Sequence, residues 1–404
     1  MGNPPNIRFK GFTDDWEQRK VSDVAKIIAG GTPSTKENSY WEPKEIPWLS
    51  SGEVHKKYIT FTDDMISQIG MNNSSAKMVA KDSVLIALAG QGKTRGTVAI
   101  NRIPLTTNQS IAAMTFNENF IPEFVFYNLE NRYDELRRMS SGDGSRGGLN
   151  KQLVGDIEIP YTEKKEQERI GSFFESLDRI ITLHQRKCDE TKKLKKFMLQ
   201  KMFPKKDAKK PEIRFVGFTN DWEQRKLMEV AEYRNGKAHE NEINDDGEYI
   251  VVNSKFVSTN GEIRKFSYAQ NEPLYENEIA FVLSDVPNGR AIARTFLVDK
   301  SGKYTLNQRI AGITPHEDTD PYYLYIKMNR NEYFLKFDDG NKQTNLSIKD
   351  VLNYEDMYPS YKEQQKIGMY FQQLDHIITL HQRKCDELKE FKKYMLQNMF
   401  PQKG

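Results

Sequence analysis

Residues 180–190 read IITLHQRKCDE, and residues 377–387 repeat the same letters without a change. The identity extends in both directions, because residues 166–204 and 363–401 match at 27 of 39 positions. A match of this length between two parts of one chain indicates an internal duplication. The duplicated segment therefore decides the architecture of the protein.

A second repeated segment opens each half of the chain. Residues 7–26 (IRFKGFTDDWEQRKVSDVAK) and 213–232 (IRFVGFTNDWEQRKLMEVAE) match at 14 of 20 positions. The sequences between the opening and closing repeats scarcely resemble each other. Drift from a common ancestor would blur the ends as much as the middles. The contrast therefore favours ends that share one function and middles that have two different functions.

The closing repeat has the pattern of a long amphipathic helix. Its apolar side chains recur at steps of three and four, while Lys, Arg, Glu and Gln fill the outer positions. Each helix should end at the prolines that follow it, Pro204 and Pro401. Ile180 and Leu194 fall close to the apolar face, so we expect both in the core of a coiled coil. The predicted heptad core is Ile170, Leu177, His184, Met198, Ile367, Leu374, His381 and Met395.

Each of these helices carries an apolar stripe that needs a partner. The nearest partner for one copy is the other copy. Antiparallel pairing is favoured because it places the two globular parts of the chain at opposite ends of the pair. Parallel pairing, which would put them side by side, stays open at this point.

The repeated His and Cys residues do not indicate a reactive site. The whole chain has six His and two Cys, too few for a disulfide framework or a four-cysteine zinc site. We interpret His184 and His381 as core residues bonded within the coiled coil. Cys188 and Cys385 lie four residues further on, and we interpret them as small buried thiols. No metal site is predicted.

The divergent middles have the pattern of mixed α/β domains. Short apolar runs predict strands, and a longer run with helical spacing follows the strands in each half. The fold class that results is α+β, with two mixed α/β domains joined by two long repeated helices that form an antiparallel coiled coil. The predicted strands are 83–89, 96–100, 110–116, 248–252, 278–283, 290–296 and 309–314, and the predicted helices are 122–138 and 321–336.

Loops in both middles carry side chains of the kind that read DNA. Arg and Lys donate to guanine O6 and N7, while Asn and Gln pair with adenine N6 and N7. Any one of these residues fits an ordinary polar loop, but as a group they favour contact with DNA. The predicted DNA-binding residues are Lys93, Thr94, Arg95, Ser145 and Arg146 in the first middle, and Asn288, Arg290, Lys342, Gln343 and Thr344 in the second.

Composition excludes several classes of protein. The 404 residues include 60 Lys+Arg and 57 Asp+Glu, a formal net charge of +3, which excludes a histone-like polycation but allows a local basic face. No apolar run is long enough to span a bilayer, and residues 1–10 lack the apolar core of a secretory signal. We therefore expect a soluble, cytoplasmic protein of two or more domains.

No catalytic residue is predicted. Residues 87–94 (ALAGQGKT) fit a relaxed phosphate-loop pattern, which makes nucleotide hydrolysis through Lys93 and Thr94 one alternative. A phosphate loop opens directly into a helix, whereas residues 95–100 (RGTVAI) are strand-like. The sequence contains no metal-ligand His cluster and no dinucleotide fingerprint, so a reader or scaffold is favoured over an enzyme.

The order of these features resembles the specificity (S) subunit of type I restriction–modification systems over essentially the whole chain. The resemblance rests first on two variable domains that each end in a long helix of nearly the same sequence. Shorter segments add to it: IPWLSSGEV at 46–54, the Asn-Gln pairs at 108–109 and 307–308, and the Phe-x-Gly-Phe-Thr-x-Asp-Trp-Glu-Gln-Arg-Lys openings at 9–20 and 215–226.

The resemblance implies that different segments of the chain have different functions. Each target-recognition domain would read one half of a bipartite DNA target, and the helices would set the gap and dock modification subunits. The implied domains are target-recognition domain 1 at 1–160, helical spacer 1 at 161–204, a linker at 205–212, target-recognition domain 2 at 213–358 and helical spacer 2 at 359–404.

The resemblance also implies partners, while this chain itself holds no cofactor. The partners would be double-stranded DNA, two modification (methyltransferase) subunits and restriction (endonuclease/translocase) subunits, with no membrane. Those subunits would bind S-adenosylmethionine, ATP and Mg, and would methylate adenine and restrict DNA where this chain directs them. Two alternatives stay open: a coiled-coil protein-binding adaptor, or the specificity unit of another type of methylating nuclease.

Overall fold

The computed structural model describes residues 4–90, 93–139, 148–205, 208–239, 242–287 and 289–401. The chain divides into two compact units. Unit 1 comprises Met1–Gln185 and Gln382–Gly404, and unit 2 comprises Arg186–His381. The boundary crosses both repeated helices, so each unit contains the first part of one helix and the last part of the other.

The described part of unit 1 is built on a mixed sheet. Its strands are β1 (Glu17–Lys20), β2 (Ala25–Ala29), β3 (Ile46–Leu49), β4 (Tyr58–Ile59), β5 (Asp64–Ile66), β6 (Val84–Ala87), β7 (Val98–Asn101), β8 (Thr106–Thr107), β9 (Ile111–Phe116) and β10 (Glu158–Tyr161). The central sheet has the order β2-β9-β6-β7-β4, and a smaller sheet has the order β5-β3-β8. The opening repeat supplies β1, which pairs antiparallel with β10, the strand before the long helix.

Short helices flank these sheets. They are α1 (Val21–Val24), α2 (Gln68–Asn72), α3 (Pro122–Asn131), α4 (Tyr133–Arg138) and α5 (Lys151–Gly155), followed by the first repeated helix, α6 (Lys164–Lys201). The predicted helix at 122–138 is confirmed, but Arg132 interrupts it with a φ of −99° and a ψ of 19°. Pro122 occupies the first turn of α3, where a missing N–H costs nothing.

Unit 2 repeats this plan with different sequences. Its strands are β11 (Glu223–Lys226), β12 (Ala231–Asn235), β13 (Tyr249–Val252), β14 (Phe266–Ser267), β15 (Ile279–Val282), β16 (Ser284–Asp285), β17 (Thr295–Leu297), β18 (Tyr304–Leu306), β19 (Ile310–Pro315), β20 (Thr344–Asn345) and β21 (Glu355–Tyr358). The sheet orders are β12-β19-β15-β17, β14-β13-β18, β16-β20 and β11-β21.

Unit 2 has four short helices, followed by the second repeated helix, of which unit 2 contains the first part. They are α7 (Ser254–Ser258), α8 (Pro321–Met328), α9 (Glu332–Leu335), α10 (Ile348–Leu352) and α11 (Tyr361–Met399). The predicted helix at 321–336 is present but divided into α8 and α9. Asn331 causes the division, because its side chain accepts a hydrogen bond from the Tyr333 N–H and so starts a new helix.

Each unit has an aromatic core that joins its recognition part to its helices. In unit 1, Trp16 of the opening repeat packs edge-on against Phe124 of α3 at 5.5 Å between ring centroids, and Phe174 of α6 stacks on Phe400. In unit 2, Phe203 stacks on Tyr323 of α8 at 5.6 Å. Residues of both repeats and of the divergent middles therefore share one core in each unit.

Within each unit the two repeated helices run antiparallel, as predicted. In unit 1, the Cys385 Sγ lies 3.9 Å from the Ile181 carbonyl oxygen, and the Lys392 Nζ bonds to the Asp178 carboxylate at 2.7 Å. From the first contact to the second, the residue number rises from 385 to 392 in α11 and falls from 181 to 178 in α6, so the two helices run in opposite directions. In unit 2, Cys188 and Ile378 are related in the same way, at 3.8 Å.

The predicted coiled-coil core is only partly correct. Ile170, Leu177, Ile367 and Leu374 are buried, and His184, Met198, His381 and Met395 are half-buried. The prediction for Ile180 and Leu194 is wrong, because these side chains are 41% and 44% exposed. Each lies one residue before a seam position, and one residue turns an α-helix by about 100°.

Equivalent ion pairs link the helices in the two units, but their burial differs. In unit 1, the Lys392 ammonium also bonds to Glu130 at 2.8 Å, and its side chain is 8% exposed. Burial alone would raise the pKa of Glu130, but the ammonium groups of Lys57 and Lys392 outweigh burial and lower this pKa. In unit 2, the Lys195–Asp375 pair is 23% and 29% exposed.

We expect Lys392→Ala to destabilise unit 1 by about 3 kcal/mol, because it leaves two poorly solvated carboxylates with less compensation. Lys195→Ala, at the equivalent repeat position, should cost unit 2 about 1 kcal/mol because that pair is better solvated. Denaturant titrations followed by hydrogen exchange in each unit would measure both costs. Equal losses of unfolding free energy in the two variants would contradict the prediction that the more buried ion pair contributes more to stability.

Candidate nucleic-acid interface

In unit 1 the predicted residues Lys93, Thr94 and Arg95 lie in the turn between β6 and β7. The turn is closed by hydrogen bonds from the Thr97 N–H to the Thr94 carbonyl, at 3.1 Å, and from the Gly96 N–H to the Ala87 carbonyl, at 2.9 Å. The Tyr133 hydroxyl of α4 donates to the Lys93 carbonyl at 2.8 Å. Lys93 is thereby held at the surface with its side chain exposed, while Thr94 and Arg95 are half-buried.

The same turn does not have the form of a phosphate loop. The described residues from Lys93 onward lead into strand β7 and not into a helix. The helix N-terminus that would hold phosphates is therefore missing from this described part of the chain. The geometry argues against the nucleotide-hydrolase alternative.

A second segment returns to the end of β6 in unit 1. The Leu149 N–H donates to the Leu88 carbonyl at 2.9 Å. The chain that leaves α4 is thus brought back beside the Lys93 turn. The predicted residues Ser145 and Arg146 lie outside the described residues.

Unit 2 contains the same connection at the corresponding place. The Leu346 N–H donates to the Leu283 carbonyl at 2.8 Å, and β16 pairs with β20 so that Asp285 lies opposite Thr344. This pairing brings the loop of Arg290 beside the segment of Lys342 and Gln343. The two units therefore share a loop frame: a loop after the central strand, and a returning segment paired beside it.

In unit 2 the loop after the central strand is organised by one carboxylate. Asp285 accepts hydrogen bonds from the N–H groups of Ala291 at 2.5 Å, Ile292 at 3.0 Å and Val286 at 2.9 Å. A Cβ at Gly289 would lie 2.1 Å from the same carboxylate, so a larger residue there would have to displace the Asp285 side chain. This loop replaces the predicted strand at 290–296, of which only Thr295 and Phe296 are in β17.

The predicted residues of unit 2 differ in their accessibility. Arg290 and Lys342 are exposed. Gln343 is exposed as well, and its amide donates to the Ser284 hydroxyl at 2.8 Å. Thr344 is buried at 5% exposure in β20, so its predicted contact with DNA is not supported. Asn288 lies outside the described residues.

Sequence reasoning missed the residues that fix each recognition part to its long helix. In unit 1, the buried Glu166 of α6 accepts two hydrogen bonds from Arg8, at 2.6 and 2.9 Å, and one from the Trp16 indole at 3.0 Å. The hydrogen bond to Glu166 raises the pKa of the Arg8 guanidinium. The opening repeat is thereby locked to the start of the helix.

The neighbouring Gln167 performs a second part of this attachment. Its amide donates to the carbonyls of Asn119 at 3.0 Å and Thr162 at 2.7 Å, and its oxygen accepts from the Ile121 N–H at 3.0 Å. These bonds hold the start of α3 against α6. Glu166 and Gln167 together form what we call the helix seat of unit 1.

The helix seat of unit 2 is Glu363 and Gln364. Glu363 accepts from Arg214 at 2.6 and 2.7 Å, and Gln364 accepts from the Asp320 N–H at 3.1 Å. Repetition of Glu-Gln at the start of both helices, together with the repeated arginine, was the signal in the sequence that could have identified these residues.

The described residues offer no site for a metal ion and no membrane span. No group of three or more His, Cys, Asp or Glu side chains among them could hold a metal. No helix in the same residues is both long and apolar enough to cross a membrane. The loop frames and the helix seats are thus the polar features that call for a functional explanation.

Comparison with known proteins identifies the source of this repeated plan. The family model for the type I restriction modification DNA specificity domain matches residues 13–193 and again residues 219–390. The chain belongs to this family. Each match covers most of one opening repeat, one divergent middle and most of one long helix, so the duplication seen in the sequence is a duplication of the specificity domain.

Individual relatives agree with this assignment. The specificity subunit of the type I restriction enzyme MjaIX from Methanocaldococcus jannaschii is 23% identical over 95% of this chain and 92% of its own length. The HindI specificity subunit from Haemophilus influenzae is 30% identical over 40% of this chain and 36% of its own length.

Two solved structures from type I restriction-modification systems share the fold. The S subunit of the type I restriction-modification system from M. genitalium aligns over 100% of both chains, with a TM-score of 0.70 and 14% identity. A chain from a structure of type I R-M complex assembly and conformational transition aligns over 95% of this chain and 97% of its own, with a TM-score of 0.51 and 15% identity.

We expect Asp285→Ala to loosen the loop that presents Arg290, because three backbone N–H groups lose their common acceptor. Loss of a partly buried hydrogen-bond acceptor of this kind costs about 1–3 kcal/mol. Hydrogen exchange at Ala291 and Ile292 should accelerate by about ten-fold or more. Asp299→Ala, at an acidic residue away from the loop, serves as control, and unchanged exchange in the Asp285 variant would contradict the assigned role.

Proposed function

We propose that this chain is the DNA specificity subunit of a type I restriction–modification complex, and that each unit reads one half of a bipartite target. The observation that carries the proposal is the shared loop frame with different side chains. The bonds Leu149–Leu88 and Leu346–Leu283 build the same frame in the two units. Lys93 occupies the frame of unit 1, whereas Arg290, Lys342 and Gln343 occupy that of unit 2.

Recognition would combine contacts to phosphates and to base edges. Basic side chains fix the register of the protein on the DNA backbone, and hydrogen bonds in the major groove select bases. Arg290 and Lys342 have the donors that suit guanine, and Gln343 has the donor and acceptor pair that suits adenine. Two frames with different side chains accordingly favour two different half-sites.

The long helices would set the distance between the two half-sites. α6 contains 38 residues, a length of about 57 Å at 1.5 Å per residue. The buried helix seats support this function, because they attach each recognition part rigidly to the start of its helix. A gap of unread base pairs then follows from the helix length.

The chemistry is assigned to partner subunits. We propose that two modification subunits use S-adenosylmethionine to methylate an adenine in each half-site, and that restriction subunits use ATP and Mg to cleave unmodified DNA. In this proposal the present chain holds no cofactor, and its function is to bind and present the target. A DNA target also favours a cytoplasmic location.

Exposed apolar side chains on the helices favour docking of these modification subunits. In unit 1 they are Ile180, Leu183, Phe391 and Tyr394, and in unit 2 they are Ile377, Leu380, Leu194 and Phe197, all between 39% and 56% exposed. We call each set an apolar stripe. The sets occupy equivalent positions of the repeat, which suits two copies of one partner. Exposed apolar groups in this number are typical of a protein-binding surface.

Mapping of methyladenine in genomic DNA, with and without the gene, tests the proposed function. One bipartite motif with a fixed gap should disappear when the gene is deleted. Arg290→Ala should relax one position of one half-site and leave the other half-site unchanged, because loss of a base contact costs about 1–3 kcal/mol. Lys93→Ala is the matched variant in the other unit. Complete retention of the motif without the gene would favour the adaptor alternative.

The apolar stripes predict how the partner binds. Leu183→Glu combined with Leu380→Glu, one change in each unit, should abolish co-purification with the modification subunit, since each change places a charge in an apolar contact. Both residues are about half exposed, so thermal unfolding should remain near that of the unchanged protein. Co-purification at the normal level would exclude the stripes as the docking surface.

A further inference from the structure

The opening repeat forms an aromatic groove with the first turns of the long helix. In unit 1 the groove has a volume of about 670 Å³ and is lined by Phe9, Phe12, Phe173, Lys165, Glu168 and Arg169. Phe9 packs edge-on against Phe173 of α6, with ring centroids 5.9 Å apart. All three phenylalanines are half-buried. The groove therefore presents aromatic surface with a rim of charged side chains.

Unit 2 has the same arrangement at the equivalent residues. Phe215 packs edge-on against Tyr370 of α11 at 6.1 Å, and the Lys366 ammonium lies 5.3 Å from the ring of Phe218. Gly11 and Gly217 turn the chain between the two aromatic residues with φ of +104° and +99°, a backbone conformation that glycine adopts without strain. The turn and the aromatic pair are thus repeated together.

The cations on the rim of the groove have no ion-pair partner in the part of the chain that the structure describes. Among the residues that the structure describes, no carboxylate lies within ion-pair distance of Lys165 or Arg169 in unit 1, or of Lys362 or Lys366 in unit 2. The Arg169 guanidinium lies instead 5.6 and 5.7 Å from the rings of Phe9 and Phe12.

Some other exposed cations of the same helices are paired with a carboxylate of their own helix. Arg186 bonds to Glu190 at 2.7 Å, and Arg383 lies 3.5 Å from Glu387. The rim has one acidic residue in unit 1, Glu168, and Gln365 replaces it in unit 2. Both grooves keep an excess of positive charge.

We propose that each aromatic groove binds an acidic segment of a modification subunit, one copy per unit, through an aromatic or aliphatic side chain seated between the phenylalanines. This inference rests on the proposed function. Charge complementarity selects an acidic ligand, and the guanidinium of Arg169 can form a bidentate pair with a carboxylate. The apolar floor selects a peptide over a nucleic-acid backbone, since phosphates offer nothing to pack on aromatic rings.

The repetition of the groove supports a partner that is present twice. The recognition frames differ between the units, whereas both grooves retain their aromatic pair and two rim cations. A ligand specific to one half-site would not require this. In unit 1 the groove adjoins the apolar stripe, because Phe173 packs edge-on against Phe391 with ring centroids 6.4 Å apart, so the groove adds a polar contact to an apolar docking surface.

The test titrates the full-length chain with the purified modification subunit in the absence of DNA. Native mass spectrometry gives the number of copies bound, and calorimetry gives the affinity. Lys165→Glu/Arg169→Glu should weaken binding of one of the two copies by about ten-fold or more, as expected for loss of a charged contact at an interface. Lys362→Glu/Lys366→Glu should do the same for the other copy, and all four changes together should weaken both.

Matched variants separate this effect from general changes in charge. Lys36→Glu/Lys77→Glu makes the same charge change at exposed lysines of the unit 1 recognition part and should leave both affinities unchanged. Lys165→Arg keeps the charge and should bind like the unchanged chain. If the glutamate variants unfold at a lower temperature, Lys165→Gln/Arg169→Gln replaces them.

Two outcomes would overturn the proposal. Wild-type affinity for both copies in the groove variants would show that the groove is not part of the interface. A fall in DNA affinity, with binding of the modification subunit unchanged, would assign the groove to nucleic acid. Failure of the unchanged chain to bind any modification subunit would instead contradict the proposed function itself, so the two failures are distinguishable.

Discussion

The bidentate bond between a buried helix carboxylate and an arginine of the opening repeat is the interaction on which each unit depends. Glu166 is 0% exposed and Glu363 is 1% exposed. A carboxylate that is removed from water without a partner is strongly destabilising. Arg8 and Arg214 remove this penalty, and in doing so they bring an N-terminal segment more than a hundred residues away in sequence to the base of the helix. Sheet pairing between β1 and β10, and between β11 and β21, then follows from the position of that segment.

Because the helix seats fix each recognition part to its long helix, the sequence of the rest of each unit can vary. The repeated residues fix where each recognition part begins and ends, and the bonds at Leu88 and Leu283 fix where its loops emerge. Side chains on those loops can change without disturbing either attachment. This separation explains why the ends of the two halves stay similar while the middles diverge. The loops proposed to read DNA and the surfaces proposed to bind partner subunits thereby lie on different parts of the same unit.

Each long helix has one apolar face that packs against its partner helix and a neighbouring apolar face that is exposed to solvent. Their seam buries Ile170, Leu177, Ile367 and Leu374, and the neighbouring face leaves equally apolar residues exposed. Periodicity alone could not distinguish these two sets, since both follow steps of three and four. Only the position of the partner helix decides which apolar residues are covered. Periodicity also failed for one loop. Residues 290–294 have a strand-like sequence, but the Asp285 carboxylate accepts hydrogen bonds from the backbone N–H groups of Ala291 and Ile292 and holds this segment as a loop.

The sequence by itself determined the duplication, the two long helices, the α+β class and six of the seven strands that it predicted, because each depends on local periodicity or on direct comparison of one segment with another. Antiparallel pairing was favoured by sequence and confirmed by the contacts of Cys188, Cys385 and Lys392. The tertiary structure alone decided the helix seats, the accessibility of Arg290 against the burial of Thr344, and the aromatic grooves. These features join residues that are far apart along the chain, and their energies depend on burial and on hydrogen-bond partners that no local pattern records.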